Sequence, residues 1–537
     1  MLHYREKGIV SLLKSTLVVC AMLSLTVACE DTAELPVRHS PLNDSSPYPS
    51  SLTYWVPMDT DAAVTLKSYG DMGLYKQLTK ITGTQVTFLH PPIGAVPAQD
   101  QFHLMMASGE LPDVIYTDWS KNSPDKAIQD GKILRLNEII EKYAPNLSRL
   151  LNEKPYLRKE LTSDEGNIYM FPSIGDDPQI FAYHGLMLRK DWLDKLHLKP
   201  PVTIDDWEKV LRAFRDGDPN GNGRKDEIPF FYRQTDMETS YPFIGAFGIT
   251  TGFYQEDGLV KYGPAQPAFK TFLTLMNKWY AEGLIDRNYL TSDIKIRDGR
   301  MLDNQLGAVA GWAGSGLGAY MQAMKAKLPN FSLIGVPFPV LKEGGTPISL
   351  ARPLIIGLGA AISAKTTHPE RIAAWLDYGY GKDGSILYNF GVEGQSYTMK
   401  DGKPQYTDLI LHNPAGLTIS QALSSYSLQS SSGPFATDPD ADKQWHADPE
   451  QADAMIKWSK ADHSRALPNG LLNAGEQEQF ASIMADLLTY KDEMVNKFIM
   501  GAEPLSAFDE YVRKLNKLGL HEVIRINQTA YDRYSRK

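Results

Sequence analysis

The stretch from Leu52 to Trp119 alternates between two hydrophobic periods, and that alternation constrains the fold more than any other feature of the sequence. LTYWVP, residues 52 to 57, reads as a buried strand, and Leu74, Leu78 and Ile81 then recur at helical spacing. QVTFLH returns to strand character, QFHLMMASG is helical up to Gly109, and DVIYTDW is a third strand. The order β-α-β-α-β predicts a parallel sheet covered by helices. In such sheets a ligand sits beyond the carboxyl ends of the strands. The loops after Trp55 and Tyr116 are therefore candidate ligand walls, carrying Met58, Asp59, Asp118 and Trp119.

A second unit opens after FPSIGDDPQIFAY, residues 171 to 183. GLMLRKDWLDKLHLKPPVTIDDWEKVLRAFRD begins as a strand and continues into two helices. In the second helix Thr203 and Asp206 form an N-cap pair, and Ile204, Trp207, Val210, Leu211 and Phe214 share one face, which assigns Trp207 to a core. Further helices follow at FKTFLTLMNKWYAEGL, at HPERIAAWLDYGYG with Pro369 in its first turn, and through residues 476 to 515. QLGAVAGW and LIIGLGAAIS read as strands, the latter buried on both faces. The fold class is α/β with an excess of helix. At roughly 100 to 200 residues per domain, residues 52 to 537 make about two to four domains, most simply two large lobes.

The amino terminus reads as an export signal. Arg5, Lys7 and Lys14 precede STLVVCAMLSLTVA, an uncharged run ending at Cys29 that falls short of the about 20 apolar residues a membrane span needs. Residues 1 to 28 are expected to be cleaved, and LTVAC resembles a lipobox, which makes Cys29 the lipidated residue. Cys20 leaves with the signal, so Cys29 is then the single thiol and no intramolecular disulfide can form. Residues 30 to 51 are rich in Pro and Ser and read as a tether. The expected location is the outer face of a bacterial cell membrane, held by lipid alone.

A hydrophobic content of 42% and an aromatic content of 10% are ample for cores. A net charge of -9 argues against nucleic acid and against an electrostatic grip on anionic lipid. Beyond the signal the longest apolar run, residues 354 to 363, is too short to span a bilayer. H-E-x-x-H, G-x-S-x-G, Walker A and paired CxxC patterns are missing from the sequence, and no catalytic residue is assigned.

DPNGNGRKDE, residues 218 to 227, is the sharpest chemical motif. Asp218, Asn220, Asn222, Gly223 and Asp226 occupy the first, third, fifth, sixth and ninth positions of an EF-hand-type loop, with Arg224 offering its carbonyl at the seventh. The twelfth position is Pro229, so Glu227 is the candidate for the closing carboxylate. Three carboxylates and two amide oxygens suit Ca²⁺, and the absence of His and Cys disfavours zinc. The expected role is a structural staple between a helix ending at Asp216 and a strand starting at Ile228.

Taken together, the lipobox, SGELPDVIY, GLMLRKDWLDKLHL, the calcium-like loop and HPERIAAWLDYGYGKDGSILYNFGVEGQSY resemble the family 1 extracellular solute-binding proteins of bacterial ABC importers. More narrowly, they resemble large oligosaccharide-binding lipoproteins, including alginate-binding proteins with a similar loop. The resemblance implies a two-lobed, Venus-flytrap fold of the periplasmic-binding-protein type, monomeric, closing on an oligosaccharide and delivering it to permease subunits. The N-lobe would comprise residues 52 to 175 and about 352 to 425, the C-lobe residues 176 to 351 and about 426 to 537 with the calcium loop. Sugar clefts combine aromatic platforms with polar groups. The candidates are Trp55, Asp118, Trp119, Asp177, Tyr183, Tyr241, Trp312, Ser315, Arg352, Glu393 and Tyr397, with Trp312 foremost because it ends a strand-like run before AGSG. A polysaccharide-degrading enzyme, with Asp118 and Glu393 as paired carboxylates, and a surface lectin are the alternative classes.

Overall fold

A computed structural model describes residues 46–92, 97–175, 182–233, 243–349, 355–428, 433–446, 448–468 and 470–537. Its first sheet is begun by β1 (Ser51–Trp55), β2 (Gln85–Leu89), β3 (Val114–Asp118) and β4 (Phe171–Ile174). The chain then starts a second sheet with β5 (His184–Arg189) and β6 (Ile228–Phe231). After a hairpin of β7 (Phe253–Glu256) and β8 (Leu259–Tyr262), β9 (Leu306–Trp312) and β10 (Leu333–Val336) complete that sheet. Strand β11 (Ile355–Ile362) returns to the first sheet, and β12 (Tyr397–Lys400) and β13 (Lys403–Tyr406) form a second hairpin.

The first sheet has the order β2-β1-β3-β11-β4. Its β1, β2 and β3 are parallel, as the alternation predicts, because helices Gly73–Thr82 and Ala98–Ser108 cross between them. Each of these helices ends at a glycine in the left-handed region, Gly83 and Gly109, both at φ 75°. The sheet as a whole is mixed, because β11 pairs antiparallel with both β3 and β4. The second sheet runs β10-β5-β9-β6, with β5 antiparallel to β9 and β6 parallel to it.

Each sheet carries its own core. Leu52, Tyr54, Val114, Ile115, Phe171 and Trp375 belong to the first, which takes residues as far along the chain as Phe435. Leu186, Trp207, Phe230, Trp279, Val309 and Trp458 belong to the second, which resumes at Ala454 and runs to Val523. Helix Ile204–Asp216 shows how the spacing becomes burial: Thr203 and Asp206 form a capping box, and Ile204, Trp207, Val210, Leu211 and Phe214 are all buried. A third, small cluster gathers Phe390, Tyr397, Tyr406 and Ile410.

Helix Pro449–Trp458 packs across the second sheet, where the Trp458 indole N–H donates to the carbonyls of Leu186 (3.3 Å) and Val336 (3.1 Å). Gly185 on β5 and Gly335 on β10 make the approach possible, since a Cβ at either would collide with Trp458 or Ala454. The two bodies also meet along a polar seam. Helix Leu520–Arg536 buries Leu520 and Val523 in the second core, and near its far end Arg533 reaches Asp164 of the first body at 2.5 Å and Glu476 at 2.7 Å. Lys537 also pairs with Asp164 (2.9 Å), the Tyr534 hydroxyl donates to Glu160 (3.1 Å), and Ser123 donates to Gln477 (2.8 Å). Among the described residues no helix is long and apolar enough to cross a membrane.

Candidate functional site

The carboxyl ends of β1 and β3 lie side by side and open onto a cavity of about 430 Å³, within the roughly 300 to 1000 Å³ typical of small-molecule sites. Trp55, Asp59, Tyr69, Gln99, Tyr116 and Asp118 are among its walls. Trp55 is only 7% exposed, because one side of its ring rests against Phe102 at 5.8 Å. The Asp59 carboxylate accepts the Asp61 amide at 2.8 Å, and burial raises its pKa above the ordinary carboxylate value. Asp118 accepts a hydrogen bond from the Ser120 hydroxyl (2.5 Å) and pairs with Lys121 (3.0 Å).

A second candidate wall stands at the end of β9. The register of β5 against β9 sets His184 opposite Trp312, the last residue of its strand. Trp312 is 46% exposed. Its ring stacks on Tyr183 (5.0 Å between centroids, 27° between planes) and meets the His184 ring edge-on (4.6 Å, 73°). The Ala313 amide donates to the Tyr183 carbonyl at 2.8 Å, which fixes the turn that follows, and Ser315 is exposed within that turn. Burial, reinforced by the nearby Arg297 and Arg233 guanidiniums, lowers the His184 pKa to about 4, so this imidazole is neutral at physiological pH. Arg297 itself pairs with Asp298 (2.9 Å), whose carboxylate also accepts from the Tyr320 hydroxyl (2.5 Å).

The structure thus brings Trp55 and Asp118 to one cavity, and Tyr183, Trp312 and Ser315 to one strand end. Two sequence candidates pack into cores away from these two walls. Trp119 is fully buried, packed edge-on against Phe102 at 5.7 Å, because the turn after β3 points its ring into the core. Tyr397 is 7% exposed and packs in the third cluster at 6.0 Å from Phe390, where burial raises its hydroxyl pKa. Glu393 is exposed beside it and does not line the cavity that holds Asp118. Asp177, Tyr241, Arg352 and Cys29 lie outside the described residues. His184, Tyr69 and Gln99 were not singled out from the sequence. His184 meets Trp312 through the register of β5 against β9, which no local pattern in the sequence displays.

The loop of residues 218 to 227 folds around its own oxygens. Asp218 accepts the amides of Gly221, Asn222 and Gly223, each at 3.1 Å, and Asn222 accepts the Arg224 amide at 2.7 Å. The side-chain amides of Asn220 (3.1 Å) and Asn222 (3.0 Å) donate to Asp226, and these and Gln305 hold its carboxyl below the ordinary pKa. Among the described residues no three His, Cys, Asp or Glu side chains stand together at metal-ligating separation. One atom nevertheless fits a cation: Glu227 Oε1 is buried without a hydrogen-bond partner, and burial together with the charges of Asp218 and Asp226 raises its pKa. A hard cation would give that oxygen a partner.

Comparison with known proteins places this geometry in context. Residues 65–386 match the family model described as bacterial extracellular solute-binding protein. The fructooligosaccharide ABC transporter substrate-binding protein FusA of Streptococcus pneumoniae serotype 4 is 26% identical over 510 residues, covering 89% of this chain and 90% of that protein. Lipoprotein LipO of Bacillus subtilis is 24% identical over 466 residues, covering 84% and 87% respectively. The crystal structure of the alginate-binding protein AlgQ2 without calcium ion superposes with a TM-score of 0.73 at 27% identity, covering 91% of this chain and 98% of that one. The two-sheet α/β architecture and a family match over more than half of the sequence agree: this chain belongs to the bacterial extracellular solute-binding proteins.

Proposed function

We propose that this protein captures an oligosaccharide between its two bodies and hands it to the permease of an ABC importer. The observation that carries this reading is Trp312, a half-exposed indole stacked on Tyr183 at the carboxyl end of a strand in a solute-binding chain. An indole face takes the C–H face of a sugar ring, and neighbouring polar groups take its hydroxyls. The names of FusA and AlgQ2, one for fructooligosaccharide and one for alginate, support a saccharide as ligand. Asp59 and Asp118 would accept hydroxyl protons on the first wall, and Tyr183 and Ser315 would contribute on the second. Asp177, Tyr241 and Arg352 remain candidate contacts from the sequence.

Mechanistically, open and closed forms exchange, and a ligand that touches both walls favours the closed one by its differential affinity. Isothermal titration against a panel of oligosaccharides tests this. Trp312→Ala should weaken binding tenfold or more, about 1.4 kcal/mol, with an unchanged melting temperature. Unaltered affinity would remove Trp312 from the site. Small-angle scattering should show a smaller radius of gyration on saturation. A rigid lectin would keep its radius, and an enzyme would leave shortened saccharides in the mixture.

Three further parts of the reading have their own tests. Lipidation of Cys29, with residues 30 to 51 as tether, would keep the monomeric protein beside its permease, and Cys29→Ala should release it into the medium. Residues Asp218, Asn220, Asn222, Arg224, Asp226 and Glu227 would hold a structural Ca²⁺. Calcium at about 100 times its dissociation constant should then stabilise the fold by about 2.7 kcal/mol, and chelation should remove that gain in a thermal melt. Glu227→Gln should abolish the response to calcium while the apo melt stays close to wild type.

A further inference from the structure

We infer that His184 is a ligand contact: its imidazole, standing edge-on to Trp312, exchanges a hydrogen bond with a hydroxyl of the sugar ring that lies on the indole. The inference rests on the oligosaccharide reading and adds a polar partner to the stacking platform. An indole face takes C–H groups, but a sugar ring held there still has hydroxyls around its rim, and polar partners decide which ring is kept. The register of β5 against β9 sets His184 directly opposite Trp312, with 4.6 Å between the ring centroids. A ligand that covers the indole therefore comes within reach of the imidazole.

Two observations point to the ring nitrogens. Among the described residues no group bonds either of them, although His184 is half-buried. The other described histidines are paired through a ring nitrogen, as His90 is with the Val56 carbonyl (2.8 Å) and His446 with Gln451 (3.2 Å), or are exposed, as His197 and His521 are. A half-buried polar group without a protein partner costs free energy unless something outside the fold meets it. The ring is also neutral at physiological pH, since burial and the Arg297 and Arg233 guanidiniums lower its pKa to about 4. A neutral imidazole carries one donor and one acceptor, and a hydroxyl is likewise both, so the two match in either sense as the tautomer follows the ligand. Asp298 does not compete for the ring, being engaged by Arg297 (2.9 Å) and Tyr320 (2.5 Å).

The test is isothermal titration of the full mature chain, with the tightest binder from a panel of cello-, malto-, galacto- and fructo-oligosaccharides and galacturonate oligomers as probe. His184→Phe keeps an aromatic ring against Trp312 and removes both nitrogens, and it should bind the probe about tenfold more weakly. His184→Gln keeps a donor and an acceptor and should recover most of that loss, with circular dichroism confirming both folds. Monodeoxy analogues of the probe complete the cycle: one of them should lose about tenfold on wild type and nothing further on His184→Phe. His184→Phe binding as tightly as wild type, additive losses throughout the deoxy series, or a wild type indifferent to every deoxy analogue would each overturn the contact and leave the oligosaccharide reading standing. A chain that binds no member of the panel overturns both.

Discussion

His184 illustrates what a single half-buried group does to the pH response of the molecule. Its pKa falls from 6.5 toward about 4 on folding, because burial and the nearby Arg297 and Arg233 guanidiniums disfavour the charged ring. The stabilisation from this neutral ring is fully present above pH 6.5 and is lost as pH falls toward 4, because the unfolded chain takes up the proton first. The shift corresponds to roughly 3 kcal/mol between those limits. In His184→Gln the difference in urea midpoint between pH 7 and pH 5 should shrink, and an undiminished difference would assign the pH response elsewhere. At this scale the sequence was partly legible. Trp312 stood out because it ends an apolar run just before a glycine-rich turn. Trp119 also follows a strand, but nothing in the sequence says which way the turn after Asp118 points its ring, and the structure points it inward.

Among the elements, helix Pro449–Trp458 and strands β5 and β10 depend on one another through two missing side chains. The Trp458 indole lies where a Cβ on Gly185 would fall, and Ala454 lies where one on Gly335 would fall. Gly335→Ala or Gly185→Ala should therefore destabilise by about 1 to 3 kcal/mol or more, seen as a lower urea midpoint at unchanged slope. A midpoint equal to that of wild type would mean the helix can slide away without cost. This contact was not legible in the sequence, because more than two hundred residues separate Gly185 from Trp458 and no local pattern ties them. The helix Ile204–Asp216 was legible in full, since its cap and its apolar face are both local.

For the molecule as a whole, the parallel part of the first sheet followed from alternation, but its completion by β11 and β4 did not. An apolar run such as residues 354 to 363 fits parallel and antiparallel neighbours alike, and only the long return of the chain decides between them. The polar seam was equally hidden, being made of charges that look like an ordinary helix surface. Arg533 there satisfies two carboxylates, Asp164 and Glu476, whose side chains are 12% and 18% exposed. Removing it leaves Asp164 with Lys537 alone and Glu476 with the Asn473 amide alone, so Arg533→Ala should cost about 1 kcal/mol. Differential scanning calorimetry would show this as a lower transition temperature, whereas a purely exposed pair would leave it unmoved.

The same exposure that makes Trp312 a platform gives the protein an optical reporter. Of its nine tryptophans, Trp312 is the most exposed, at 46%; Trp445 is half-buried and the other seven are at most 7% exposed. Its emission should lie to the red of the rest and respond most strongly to an external quencher such as acrylamide. A ligand that covers the ring would move that component to the blue and shield it, while Trp312→Phe would silence the signal without darkening the protein. Titration curves could then be read on the unlabelled chain, each reporting from one known position on the second wall.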